Sequence, residues 1–144
     1  MTAACVFCKL ATAELAGNVV YRDARVAAFL DANPLFLGHT LVVPVAHTAT
    51  LDDLGPELIA PLFDVVRLTS IAVQRALGAD GSFVAINNRV SQSVPHLHVH
   101  VVPRNEGDGL FSPRLIWKRR KYGSDAEAAE YATRIREAFE ADPR

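Results

Sequence analysis

The chain has almost no net charge, no long apolar run and only two cysteines in 144 residues. Fifteen basic residues stand against sixteen acidic ones, a formal charge of −1, so nothing draws the molecule as a whole toward nucleic acid or a membrane. Any basic site must be local. The longest apolar runs, such as residues 41–45, are strand-sized and contain Pro44, whereas a membrane-spanning helix needs about 20 apolar residues. Met1-Thr2-Ala3-Ala4-Cys5 lacks the charged-then-apolar order of a signal peptide, so a cytoplasmic location is expected. A structural disulfide is not expected there. Repeats and low-complexity linkers are also lacking. What is there is ordinary for a globular protein: 50% hydrophobic and 22% charged residues. The length fits one domain over 1–144, with 105–144 as a C-terminal loop and helix.

Periodicity sets out the elements. Residues 6–15 read as a short helix, with Phe7, Leu10, Ala11 and Leu15 near one face, ended by Gly17-Asn18. Residues 19–22 and 26–30 read as strands of a hairpin about Asp23-Ala24, and 40–44 as a third strand. Residues 57–77 carry Leu58, Leu62, Val65, Val66, Thr69, Val73, Ala76 and Leu77 at helical spacing. Pro56 suits the first turn and Gly78 the position after the last, while Pro61 kinks the helix or delays its start. Residues 82–86 and 96–102 read as strands, the second stopped by Pro103. Ser124-Asp125-Ala126-Glu127 reads as a capping box opening a final helix, whose apolar stripe is Tyr131, Ile135, Ala138 and Phe139. Strands in hairpin order with one long central helix and a terminal helix give α+β, with a mostly antiparallel sheet.

Three of the five histidines fall in His96-Leu97-His98-Val99-His100-Val101-Val102. In a strand, alternate side chains share a face, so the three imidazoles lie together and Leu97, Val99 and Val101 lie opposite. Metal-binding β-barrels use the same spacing for imidazole ligands. An imidazole near neutral pH is also a good nucleophile, provided its second nitrogen holds the proton against a fixed acceptor.

This run, followed by Pro103-Arg104, resembles the histidine-triad (HIT) family. Phe29-Leu30-Asp31, Gly38-His39-Thr40-Leu41-Val42-Val43-Pro44 with His47, and Gln92-Ser93-Val94 resemble further blocks of it in the same order. The resemblance implies hydrolases and transferases that cleave a phosphoanhydride or phosphoramidate at the α-phosphate through a nucleotidyl-histidine. It also implies homodimers that join two sheets into one.

On that resemblance His98 is the nucleophile. His100 orients it and holds phosphate, partly through its backbone carbonyl, and His39 supports the triad. Ser93 donates to the leaving group and Gln92 positions the bridging oxygen. Phe29 lines the pocket of a purine base, Asp31 takes the ribose diol, and Asn87 or Asn88 lies at the phosphate or ribose edge. One branch of the family has a glycine-containing turn where this chain has only Arg89-Val90-Ser91. No catalytic metal is required by this chemistry.

Cys5-Val6-Phe7-Cys8 has the spacing of half a zinc site. By resemblance to bacterial members, His47 and His96 complete a structural Cys2His2 site that pins the N-terminal helix to the sheet. His96 is then no free general acid. Two other functions use the same residues: a zinc-dependent module that binds nucleotide without turnover, and a metal-dependent oxygenase with the triad as ligands. Lys118-Arg119-Arg120-Lys121 is a local basic run, read either as a contact for a polyphosphate tail or as a solvated loop.

Overall fold

A computed structural model describes residues 5–113 and 119–140. Five strands form one fully antiparallel sheet in the order β1-β2-β3-β5-β4. They are β1 (Val19–Arg22), β2 (Val26–Leu30), β3 (Thr40–Pro44), β4 (Gly81–Ala85) and β5 (Val99–Arg104). Helices α1 (Val6–Ala11), α2 (Pro56–Leu77) and α3 (Asp125–Glu140) complete the α+β fold. No helix among the described residues is long and apolar enough to cross a membrane.

The β1–β2 hairpin turns on Asp23, whose Oδ1 accepts the backbone N–H groups of Arg25 at 2.7 Å and Val26 at 2.8 Å. Pleating then sorts the sheet into two faces. Val26, Ala28, Leu30, Val42, Leu97, Val99 and Val101 pack with Leu62, Val65, Val66, Ala72 and Val73 of α2 and with Ala132 and Ile135 of α3. Ala27, Phe29, Leu41 and Val43 pack on the other face with Cys5, Phe7, Cys8 and Ala11 around α1. The triad lies on this second face.

The long helix runs through Pro61. Pro61 has no N–H to give the carbonyl one turn earlier, but the apolar stripe beyond it is buried on the sheet and outweighs that loss. Gly78 closes the helix in the left-handed region at φ 62°, its N–H reaching the Gln74 carbonyl. At α3, Ser124 Oγ accepts from Glu127 N at 3.1 Å, and Glu127 reaches past it to Gly123 N at 2.7 Å. The box is therefore displaced by one residue.

Strand β4 is shifted by one residue at each end from the expected 82–86, and α2 starts one residue early, at Pro56. Three other boundaries differ from the periodicity reading for a visible reason. Helix α1 stops at Ala11, not at residue 15, because the Thr12 hydroxyl bonds back to the Cys8 carbonyl at 2.8 Å and Ala13 turns to φ 65°. Strand β5 begins at Val99, since Leu97 N is bonded to the Thr48 carbonyl at 2.6 Å outside the ladder. Pro103 does not stop it: β5 continues to Arg104. Past the Thr40–Val101 pair, β5 borders only β4, and a strand with one neighbour tolerates a missing N–H.

Candidate active site and metal centre

His98 stands one residue before β5 with its ring almost fully buried. Its Nδ1–H donates to the backbone carbonyl of His96 at 2.7 Å. The resemblance has His100 orient His98, partly through its backbone carbonyl; here the His96 carbonyl accepts the Nδ1 proton instead. With the proton held at Nδ1, Nε2 carries the lone pair. Burial lowers the pKa of His98, opposed by the bond to His96.

A chain of hydrogen bonds sets the neighbouring tautomers. Leu35 N–H donates to His39 Nδ1 at 3.0 Å, so neutral His39 holds its proton on Nε2. Burial keeps it neutral, depressing its pKa to about 3. His39 Nε2–H then donates to His100 Nδ1 at 2.9 Å, which leaves the His100 proton on Nε2. Burial, followed by the nearby His98, depresses His100 to about 4. The His98 and His100 rings lie 4.9 Å apart between centroids, closer than the ~7 Å between alternate residues of an extended strand. Gly38 makes the turn into His39 at φ 98°, where an added Cβ would stand 2.3 Å from a methyl of Leu77.

A cavity of about 490 Å³ brings His98 together with Ser93, Phe29, Asp31, Leu41 and Phe7. Phe7 was not singled out as functional from the sequence. It meets Phe29 edge-on at 5.2 Å and His98 at 5.1 Å, and only its place between the two cysteines hinted at this. Asp31 accepts Asn33 N at 2.9 Å and pairs with Arg119 Nη1 at 2.8 Å.

Gln92 and Asn87 are not among the residues lining that cavity. Gln92 is held in its loop, donating to the Ala49 carbonyl and accepting from Arg89 N, both at 2.7 Å. Asn88 Oδ1 accepts Leu51 N at 2.8 Å. Arg89 and Ser91 adopt φ 67° and 60°, so this glycine-free turn places ordinary residues where the backbone favours glycine.

Cys5, Cys8, His47 and His96 converge on one point, all four ligand atoms within 4.8 Å of one another. His96 Nδ1 lies 3.4 Å from both Sγ atoms, and His47 Nδ1 lies 3.3 Å from Cys8 Sγ. Zn–S bonds of about 2.3 Å and Zn–N bonds of about 2.0–2.1 Å give a tetrahedral S···N edge of about 3.5 Å. The donor set therefore fits zinc in chemistry and in size. His96 Nε2–H donates to the Pro44 carbonyl at 2.9 Å, the outer bond that turns Nδ1 toward a metal. A second cluster, Asp31, His39 and His100, also gathers ligand atoms. Its 2.9 Å N···N contact is shorter than the edge of about 3.3–3.4 Å between two zinc-bound imidazoles, and Leu35 fills the other His39 nitrogen. It is a hydrogen-bonded relay.

The HIT domain profile matches residues 12–107, two thirds of the chain. The chain belongs to the HIT family. This HIT protein is 44% identical over 107 residues to an uncharacterised HIT-like protein of Methanocaldococcus jannaschii, covering 73% of this chain and 82% of the relative. It is 34% identical over 134 residues to the adenylylsulfatase HINT3 of Arabidopsis thaliana, covering 92% and 68%. A zinc-bound histidine triad family protein from Mycobacterium smegmatis superposes with a TM-score of 0.81 at 33% identity, over 95% of this chain and 94% of that one.

Proposed function

We propose that this HIT protein is a nucleotide hydrolase that cleaves phosphoanhydride or phosphoramidate bonds at the α-phosphate through a nucleotidyl-His98 intermediate. The observation that carries this reading is the tautomer of His98: a 2.7 Å bond fixes its proton at Nδ1, and the ring borders a cavity shared with Ser93. A purine base packs against Phe29, the ribose diol bonds Asp31, and Nε2 of His98 attacks phosphorus. His100 steadies the phosphate, His39 holds the His100 ring, and the Ser93 hydroxyl hydrogen-bonds an amine leaving group that takes its proton from water. Gln92, held to the Ala49 carbonyl, and Asn87 stand outside the cavity, so their phosphate contacts rest on the resemblance alone. Water then releases the nucleoside monophosphate. Catalysis is mainly positioning and charge stabilisation.

Cys5, Cys8, His47 and His96 hold a structural zinc ion, which clips α1 to the sheet. His96 thus gives its ring to the metal and its carbonyl to His98. Ligation needs reduced thiols, in keeping with a cytoplasmic setting. A homodimer is supported by the single-sided β4 at the sheet edge and by the exposed apolar residues Val84, Ile59 and Phe63.

Intact-mass measurement after brief exposure to adenosine 5′-phosphoramidate, a dinucleoside tetraphosphate or adenylyl sulfate tests the reading. A nucleotidyl adduct mapped to His98 and lost in His98→Ala is expected. Binding without any adduct would instead favour a zinc-dependent nucleotide-binding module.

A further inference from the structure

The described part of the basic run, Arg119 to Lys121, is neither free nor distant from the site. Lys118 lies outside the described residues. The segment is laced along the loop that leads from β2 to His39. Arg120 N–H bonds the Pro34 carbonyl, Arg120 Nε bonds the Leu35 carbonyl at 3.2 Å, and its guanidinium lies over the Phe36 ring. Tyr122 accepts Gly38 N–H at 2.9 Å. These anchors hold Arg119 against Asp31 Oδ2 at 2.8 Å, with a further bond to the Asn33 carbonyl.

Among the described residues lining the His98 cavity, the only arginines and lysines are Arg119, Arg120 and Lys121. Arg120 is already committed to Leu35 and Phe36, which leaves Arg119 and Lys121 to meet phosphate charge. Arg119 is paired with the same carboxylate that a ribose diol needs. A ribose diol at Asp31 competes with the guanidinium for the carboxylate oxygens, which loosens Arg119 toward the phosphates as they reach His98. A planar guanidinium matches phosphate or sulfate oxygens in two-pronged geometry. An amine leaving group offers it nothing.

We propose that Arg119 sets leaving-group specificity, exchanging Asp31 for the anionic leaving group of the bound nucleotide and so favouring polyphosphate- or sulfate-type groups over amines. This rests on the hydrolase reading above. When His98 Nε2 bonds to phosphorus, the bond from phosphorus to the leaving oxygen breaks and its electron pair stays on that oxygen, beside Arg119. Water then cleaves the N–P bond; its oxygen stays on phosphorus and a proton goes to solvent.

The test compares kcat/KM for a dinucleoside tetraphosphate, adenylyl sulfate and adenosine 5′-phosphoramidate in the wild type, Arg119→Gln and Arg119→Lys. The ratio of each anionic-leaving-group substrate to the phosphoramidate falls about ten- to hundredfold in Arg119→Gln, with partial recovery in Arg119→Lys. A fall in one anionic arm alone identifies phosphate or sulfate as the group selected. An equal loss on all three substrates, or no change in the ratios, overturns the proposal. If the wild type forms no nucleotidyl adduct, the hydrolase reading fails on its own. Calorimetric titration with ATP and AMP then decides the role of Arg119: a wild-type preference for ATP that Arg119→Gln loses supports it, and an unaltered preference overturns it.

Discussion

His98 donates its Nδ1 proton to the backbone carbonyl of His96 at 2.7 Å, while the His96 ring stands 3.4 Å from two cysteine sulfurs. One residue thus belongs to both centres, through different atoms. Its carbonyl holds the His98 Nδ1 proton, and its imidazole joins the four side chains whose donor set fits zinc. The competition between general-acid and zinc-ligand roles disappears, because neither ring nitrogen of His96 remains for the substrate: Nε2 is bonded to Pro44 and Nδ1 faces the cysteines.

The metal centre is expected to hold one zinc per chain. Cys8→Ser should lose it and lower the stability by several kcal/mol, because four donors gathered in the folded state are left without their common partner. Elemental analysis and thermal unfolding check this. His98→Ala should keep its zinc; loss of metal from that variant would place the ion at the triad and contradict the assignment.

Phe7→Ala should cost about 3–5 kcal/mol, typical of a buried phenylalanine, because its ring packs between Phe29 and His98. KM should rise as the base pocket loses a wall. Denaturant unfolding and steady-state kinetics with one nucleotide read both effects. A variant with normal stability and kinetics would separate α1 from the active site.

His39→Ala should cost about 2–4 kcal/mol, from the deleted ring and from leaving the buried Leu35 N–H and His100 Nδ1 without their partner. In catalysis kcat should fall more than KM rises, since His39 touches His100 and not the cavity. An increase in KM alone would make His39 a binding residue.

Stability should fall with acid. His39 and His100 have folded-state pKa values near 3 and 4, below the ordinary value of about 6.5 for an unfolded chain. Below about 6.5 the unfolded chain takes up protons that the folded chain refuses. Stability is therefore full above that pH and is lost progressively from about 6.5 down to about 4–3. Asp31 opposes these depressions, while Arg119 adds to them. Urea midpoints at pH 7, 6 and 5 should decline, and less steeply in His39→Gln. An identical slope in that variant would remove His39 from the titration.

Much of the architecture was legible because it rests on local rules. Strands at 19–22, 26–30 and 40–44 and the α2 helix ending before Gly78 follow from period, turn chemistry and the left-handed C-cap. Boundaries failed where a tertiary contact overruled the pattern. Leu97 gives its N–H to Thr48 and not to a ladder, and Pro103 sits where β5 has lost its β3 neighbour. The four candidate zinc ligands were readable by residue type and order. The fixed tautomers were not, since Leu35 and Pro44 act through backbone atoms, which no residue type reveals.

By itself the sequence determined which side chains are candidates for chemistry and that three histidines share one short run at alternate positions, because side-chain identity and a two-residue period are local properties. Only the tertiary structure decided how they divide the work. His96 faces the cysteines because α1 packs on that face of the sheet, and His98 faces the cavity because a carbonyl two residues away holds its ring. Arg119 meets Asp31 across 88 positions of sequence. No local pattern encodes that pair; it forms when the segment after β5 folds back along the loop before β3.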